Sequence, residues 1–289
     1  MSTKLMRFTL SAENPVVASR ARYSQPPPAP VFDMHYDLEM GVVLHGRMRR
    51  FLGDTVAERG PGEAWLCGMW ETHGFDIVEA PCEAVVMVIW PPLLASQRFP
   101  QVPALSLLAP FTLPVGQRPG QAPALAAEIL HLGQGIAETA AGTGAARAVR
   151  LQLQVVELLV RLWETLDGQG VASSAVGPDA FHRLTPALDR AFASRRAVGS
   201  DEAARLCRMS TRQFARVFHD LMGITFARFA TCQRLHGAAD ALLNTDEPVK
   251  TVAAEWGFVD ASHLHRLFLK HYGCSPATYR SRCRSQDPG

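Results

Sequence analysis

A segment near the C-terminal end of the chain repeats itself fifty residues later, and this duplication constrains the fold more than any other feature. Aligned without a gap, Ala203 to Phe229 and Ala253 to Tyr279 share Ala203/Ala253, Ala204/Ala254, Arg216/Arg266, Phe218/Phe268, Gly223/Gly273 and Ala227/Ala277. Phe214/Leu264, Val217/Leu267, Thr225/Ser275 and Phe229/Tyr279 match in kind. These are the positions that a short helical unit needs, so the repeat reads as structural duplication.

Each copy carries its own helix signals. Ser210 is placed to cap a helix, with Gln213 completing a capping box, and Asp260 holds the equivalent position in the second copy. Phe214, Val217, Phe218 and Leu221 then form an apolar stripe at helical spacing, repeated by Leu264, Leu267 and Phe268. Gly223 and Gly273 stand where a left-handed residue stops a helix. Shorter helices are expected before each, over Asp201 to Cys207 and Val249 to Trp256, with turns at Arg208-Met209 and Gly257-Phe258-Val259. This is the helix-turn-helix plan, written twice. A joining helix from Phe226 to Leu243 spans ~27 Å at ~1.5 Å per residue, close to the ~34 Å between successive major-groove faces of DNA.

The outward faces are basic or polar. Arg212, Gln213 and Arg216 in the first copy, and Ser262, His263, His265 and Arg266 in the second, are residue types that read base edges in a major groove. A solvated charged face is the alternative meaning of such a pattern, and Gln213 has a competing role in the capping box. From Asp179 onward there are 16 Lys+Arg and 11 Asp+Glu, while the preceding residues hold 13 and 16. A basic C-terminal part thus follows an acidic N-terminal one, as suits a chain of which one part approaches phosphate.

Ser200 to Arg284 resembles the DNA-binding domain of the AraC/XylS transcription regulators. The resemblance rests on Ala254, Gly257-Phe258, Asp260, Ser262, Arg266, Phe268, Lys270, Gly273, Ser275-Pro276, Tyr279 and Arg280. It implies that the second helix of each unit enters the groove, and so assigns base reading to the two outward sets named above. Leu264 stands where the family usually has Phe, and His265 replaces a commoner small polar residue. Phosphate contacts are expected from Lys250, Lys270, Arg280 and Arg282.

The N-terminal part has a different texture. Met34, Tyr36, Leu38, Met40, Val42 and Leu44 alternate with His35, Asp37 and Glu39, the period of a strand. Short β-rich runs from Phe32 to Phe51 and Ala64 to Trp90, punctuated by Gly and Pro, fit a small barrel or sandwich. The region resembles the cupin-like sensor that often precedes an AraC-type domain. Asp33, His35, Glu39 and Gly46 occupy the places of one cupin motif, and Gly62 and His73 those of the second. The resemblance implies that His35, Glu39 and His73 line an effector pocket. A divalent metal held by Asp33, His35, Glu39 and His73 is the rival reading. Glu63, Cys67 and Trp70 are expected near the same wall.

Two helices are expected between these parts, over Ala122 to Glu138 and Ala145 to Leu166. Leu151, Val155, Leu158 and Leu162 form a seam on the second that packs either on its own barrel or on a second copy, and the family resemblance favours the second copy. Asp167 to Pro178 reads as a flexible linker and Gln25 to Pro30 as an extended run. The six cysteines lack any CxxC spacing and read as buried small hydrophobes. No stretch has the length of a membrane span and no leader pattern opens the chain, so a cytoplasmic protein is expected.

The fold expected is α+β. A cupin-like β-barrel over residues 1–120 precedes a helical dimerisation segment and linker over 121–178, and an all-α domain with two helix-turn-helix units and a linker helix over 179–289. The function expected is that of a sequence-specific transcription regulator, not an enzyme and without a cofactor. Its expected partners are double-stranded DNA, a small-molecule effector of unnamed identity, a second copy of itself and RNA polymerase. The alternatives are a metal-dependent cupin enzyme fused to a DNA-binding module, and a regulator that needs no effector.

Overall fold

The computed structural model describes residues 2–3, 10–97, 99–120, 123–167 and 180–284. Its N-terminal half is built on one seven-stranded sheet. The strands are β1 (Ser2–Thr3), β2 (Val16–Tyr23), β3 (Val31–Asp33), β4 (Leu38–Leu52), β5 (Thr55–Arg59), β6 (Ala64–Cys67) and β7 (His73–Ile89). Long antiparallel β4 and β7 form the spine, paired from Leu38↔Ile89 to Leu52↔His73 with register shifts between Val43 and Met48. Each then splits its other edge between two partners: β7 pairs with β3 and β2, and β4 with β5 and β6. The sheet therefore bends around an apolar interior but does not close. Among the described residues no ladder joins the free edges, so the expected barrel is an open, folded sheet.

A second expectation fails at residues 34–37. Alternation extended the strand through them, but β4 begins only at Leu38. The Asp33 carboxylate accepts from the Met34 amide at 2.7 Å, and His35 Nδ1 lies 2.9 Å from the Asp37 carbonyl. These local bonds replace ladder bonds and fold the segment into a bend.

The helices α1 (Pro91–Ser96), α2 (Ala109–Thr112), α3 (Ala126–Ala141) and α4 (Arg147–Asp167) follow. Leu151, Val155, Leu158 and Leu162 of α4 are each no more than 1 % exposed, and α4 packs on α3 and β2. The seam therefore faces its own chain, which corrects the expectation that it faces a second copy. The reason is that α3 packs on β2, β4 and β7 and α4 on β2, so the seam is covered from within. Gln25 to Pro30 runs without helix or strand, and residues 168–178 of the expected linker lie outside the described residues.

The C-terminal half is helical: α5 (Ala180–Ala193), α6 (Ser200–Leu206), α7 (Thr211–Met222), α8 (Phe226–Asn244), α9 (Val249–Glu255), α10 (Ala261–Tyr272) and α11 (Pro276–Arg284). Ser210 caps α7 by accepting from the Gln213 amide, and Asp260 caps α10 by accepting from the His263 amide. Gly223 (φ 70°) and Gly273 (φ 65°) end these helices in the left-handed region, as the sequence requires. Buried Phe214 and Phe218 correspond to buried Leu264 and Phe268.

The two copies nevertheless differ by one residue. The Met209 amide donates to Ala204 O and the Phe258 amide to Ala253 O, so the α6 and α9 units match at an offset of forty-nine. Buried Ala203 and Ala204 correspond to buried Val252 and Ala253, and Ala254 is exposed. Two of the six identities in the ungapped alignment are thus coincidences of composition. Val259, 86 % exposed, is the extra residue in the second turn.

Helix α8 lies between the two units and carries buried residues on every side. Phe226, Phe229, Leu235, Ala238, Ala239 and Leu242 are each at most 3 % exposed. At Gly237 the Trp256 ring would lie 2.0 Å from a Cβ, so only glycine lets the second unit pack this closely. Gly237→Ala is therefore expected to destabilise the protein by ~1–3 kcal/mol through overpacking. Chemical denaturation monitored by far-ultraviolet circular dichroism checks this; unchanged stability would show that the ring is not held there.

Candidate DNA-reading helices and the buried sensor cluster

Helices α7 and α10 present their expected outward sets unequally. Arg212, Gln213 and Arg216 are exposed along α7. The capping bond uses the Gln213 backbone amide, so its side chain is exposed as well as its neighbour's. Ser262, His265 and Arg266 are exposed along α10, whereas His263 is half-buried with its ring against Phe258 at 5.7 Å. His263 thus packs on the turn and does not project with the other three. Thr211 Oγ1 donates to Asp201 Oδ1 at 2.8 Å and fixes α7 against α6.

Of the expected phosphate contacts, Lys250 is exposed in the first turn of α9. Arg280 has another use: its Nε donates to Leu242 O at 2.9 Å and its Nη2 to Glu247 O. It thus donates to carbonyls at and beyond the end of α8. Arg234, 7 % exposed, does the same for the second turn, donating to Trp256 O and Gly257 O. The Arg282 side chain lies outside the described residues.

Lys270 lies at the edge of a cavity of about 600 Å³ between the β-domain and the helices, lined also by Asp54, Thr72, Arg228 and His271. His271 is 9 % exposed. Burial first, then the charges of Arg228 and Lys270, push its pKa down from 6.5 to about 4.

The β-domain brings His35, Glu39 and His73 together. Glu39 Oε2 lies 3.3 Å from His73 Nε2 and 3.8 Å from His35 Nε2. All three residues are at most 9 % exposed. Each imidazole is oriented by its other nitrogen, with His35 Nδ1 2.9 Å from Asp37 O and His73 Nδ1 2.8 Å from Glu71 O. A carbonyl only accepts, so both Nδ1 atoms carry hydrogen and both Nε2 atoms face the carboxylate. Glu39 Oε1 is held in turn by Arg50 Nη2 at 2.8 Å and Trp65 Nε1 at 2.9 Å. Burial alone would raise the Glu39 pKa, but His73, His35 and Arg50 hold it well below the ordinary carboxylate range. Burial opposes charge on His35, yet Glu39 and Asp33 outweigh it and raise its pKa to about 9.

The ligand-capable atoms of His35, Glu39 and His73 lie within 4.8 Å of one another, the spacing of a three-ligand metal site. Asp33 belongs to the surroundings, because its Oδ1 is turned back on the Met34 amide. Glu39, His73, Asp33 and Arg50 also line a cavity of about 290 Å³, walled by Val17, Val31, Phe32, Phe75 and Val88 among others. Sequence reasoning missed Arg50 and Trp65, since neither a basic residue nor a tryptophan in a strand shows which carboxylate it will meet. Cys67 does approach Glu39, at 3.8 Å. Glu63 accepts from the Gly60 amide in a local turn, and Trp70 turns toward the helical domain.

Comparison with known proteins bears on the helical part first. Residues 203–282 match the model of a helix-turn-helix domain family. RclR of Escherichia coli, an RCS-specific HTH-type transcriptional activator, is 33% identical over 88 residues, 30% of this chain and 31% of that protein. The HTH-type transcriptional regulator Rv1931c of Mycobacterium tuberculosis is 37% identical over 79 residues, 27% of this chain and 30% of that protein. The C-terminal part is an AraC-type helix-turn-helix domain. The match spans about a third of the length of these relatives, so it describes the AraC-type domain alone. Over nearly the whole chain the fold is similar to that of ToxT from Vibrio cholerae, with a TM-score of 0.55 at 9% identity covering 93% of this chain and 98% of that one. A ToxT structure with an unsaturated fatty acid bound gives 0.53 at 10% identity, covering 95% and 97%.

The AraC-type domain has a pH signature of its own. With its folded pKa near 4, His271 stays neutral in the native state while the unfolded chain takes up a proton near 6.5. Stability is therefore expected to fall as pH drops from about 6.5 toward 4, because the unfolded state binds the extra proton. His271→Gln should flatten this slope, as read from urea unfolding at a series of pH values. An unchanged slope would mean that other groups carry it.

Proposed function

We propose that this protein is a sequence-specific DNA-binding transcription regulator whose two reading helices enter successive major grooves and whose β-domain cavity takes a small-molecule effector. The observation that carries this reading is the pair of capped helices, built on the same buried frame, with different residues exposed. Arg212, Gln213 and Arg216 face outward in one; Ser262, His265 and Arg266 do so in the other. Only the arginines Arg216 and Arg266 agree, so the two helices read different base sequences. Lys250 and the exposed helix ends supply phosphate contacts that position without specifying. RNA polymerase is a further partner of this reading.

The cavity beside Glu39 supports effector control. Its walls are largely apolar, with charged groups contributed by Asp33, Glu39, Arg50 and His73. The Arg50 Nε is buried without a hydrogen-bond partner among the described residues, and an unmade bond to such a donor is costly. An acceptor oxygen on a ligand would relieve that cost. ToxT, which shares the fold, has been solved with an unsaturated fatty acid bound.

One observation favours a second reading of the same place. Two imidazoles and a carboxylate, each oriented by a hydrogen bond from its far side, fit a divalent transition metal. Elemental analysis of purified protein separates the readings. Stoichiometric metal that is lost in His73→Ala supports a cation, and its absence alongside a thermal shift with an organic acid supports an effector alone.

Dimerisation, if mediated by α4, uses a face other than the seam. Val149 and Leu153 are 58 % and 62 % exposed, and half-buried Val156 and Val160 continue the line at spacings of four, three and four. We propose this stripe as the surface that meets a second copy. Leu153→Glu is expected to shift sedimentation toward monomer without lowering thermal stability; unchanged sedimentation of a dimer would place the interface elsewhere.

For DNA reading, Arg216→Ala and Arg266→Ala are each expected to cost ~1–3 kcal/mol on a selected site and far less on random DNA. Fluorescence anisotropy with both DNAs checks this. Equal losses on the two would assign these arginines to phosphate.

A further inference from the structure

We infer that an aromatic contact between Tyr36 and Trp70 of the β-domain and Phe192, Phe229 and His236 of the helical domain transmits the state of the sensor cavity to both reading helices. This rests on the reading of that cavity as an effector site. The rings form one continuous cluster: Tyr36 lies 4.9 Å from Phe192 and 5.8 Å from Phe229. Trp70 lies 5.4 Å from His236 and 6.3 Å from Phe229, and Tyr36 and Trp70 are 6.1 Å apart.

Both sensor rings stand on backbone that the buried cluster controls. Tyr36 follows His35 directly and lies inside the bend closed by His35 Nδ1 on Asp37 O. Trp70 lies in the turn whose Glu71 carbonyl accepts from His73 Nδ1, and its own amide donates to His35 O at 2.8 Å. The two imidazoles that face Glu39 thus each hold one of the two segments carrying the contact. The Trp70 turn is held as a unit, because Glu71 accepts from the Gly68 amide and is clamped by Arg118. Trp70 also sits at φ 55°, a left-handed conformation that a bulky residue keeps only when its surroundings impose it.

On the other side of the contact, the rings reach both copies of the helix-turn-helix. Phe229 belongs to α8 and lies 5.6 Å from Phe218 of α7. His236 immediately precedes Gly237, against which the Trp256 ring of the second unit packs. A shift of α8 at Phe229 and His236 is therefore felt at both reading helices. A ligand that draws Glu39, His35 or His73 toward the cavity pulls on the two segments and changes how α8 is held. By linkage, bound DNA changes the cavity's affinity by the same factor.

The test uses the full chain with Glu39→Gln as a perturbation of the cluster that needs no ligand. Amide hydrogen exchange of residues 226–244 and affinity for a selected DNA site are measured in the wild-type protein, in Glu39→Gln, in Tyr36→Leu/His236→Ala, and in the combined variant. Glu39→Gln is expected to change α8 exchange and DNA affinity by about five-fold or more, the lower range of ordinary coupling. In the Tyr36→Leu/His236→Ala background that effect should fall at least several-fold, leaving only the Trp70–Phe229 contact to carry it. Additive effects, or an α8 that ignores Glu39→Gln while exchange near residue 39 changes, overturn the inference. Where Glu39→Gln fails to fold, His73→Gln takes its place in the same cycle. Exchange coupling between the cluster and α8 in a protein that selects no DNA would sink the regulator reading and leave the coupling standing.

Discussion

Buried residues on every side of α8 set the constraint from which the rest of the helical domain follows. Phe226 and Phe229 meet the rings of α7, Leu242 lies under the α11 arginine, and Gly237 admits Trp256. A helix with buried residues on every face has no stable place alone in water, so both helix-turn-helix units must assemble around it. The two reading helices are thereby held on one rod ~28 Å long. Their relative position is a property of α8 packing and not of a flexible joint.

The β-domain meets a different constraint, the cost of burying charge. Glu39 is tolerable inside because Arg50, Trp65, His35 and His73 surround its two oxygens. Removing one partner leaves the others buried and uncompensated, which costs more than the pair contributes when intact. That makes the cluster responsive: a ligand or cation that competes for Glu39 must rearrange several groups together. The backbone bonds from both imidazoles lead such a rearrangement out to Tyr36 and Trp70.

Much of the helical domain was legible in the sequence because its signals are local. Caps at Ser210 and Asp260, left-handed ends at Gly223 and Gly273, and the spacing of Phe214 and Phe218 each act within a turn of the helix. The ungapped alignment misplaced α9 by one residue because Ala203-Ala204 matches Ala253-Ala254 by identity while its structural counterpart is Val252-Ala253, and only the hydrogen bonds to Ala204 O and Ala253 O reveal this. The side chains whose surroundings differ from expectation depend on distant partners. Arg280 looks like any surface arginine until α11 brings it to the end of α8, and His263 until Phe258 covers it. In the β-domain, His35, Glu39 and His73 were found through the resemblance to the cupin motifs. Arg50 was not, since a strand pairing sets what it meets. The α4 seam was legible as a seam, but periodicity does not say whether the partner is the same chain or another.

The central claim is that one chain reads two different sequences with two helices held on a single rod. Selection of bound DNA from a random pool, followed by sequencing, tests it most directly. Two unlike blocks of base preference about one helical turn, ~10 base pairs, apart are the predicted outcome. A single block, or two mirror-related copies of the same block with nothing unlike beside them, would contradict it.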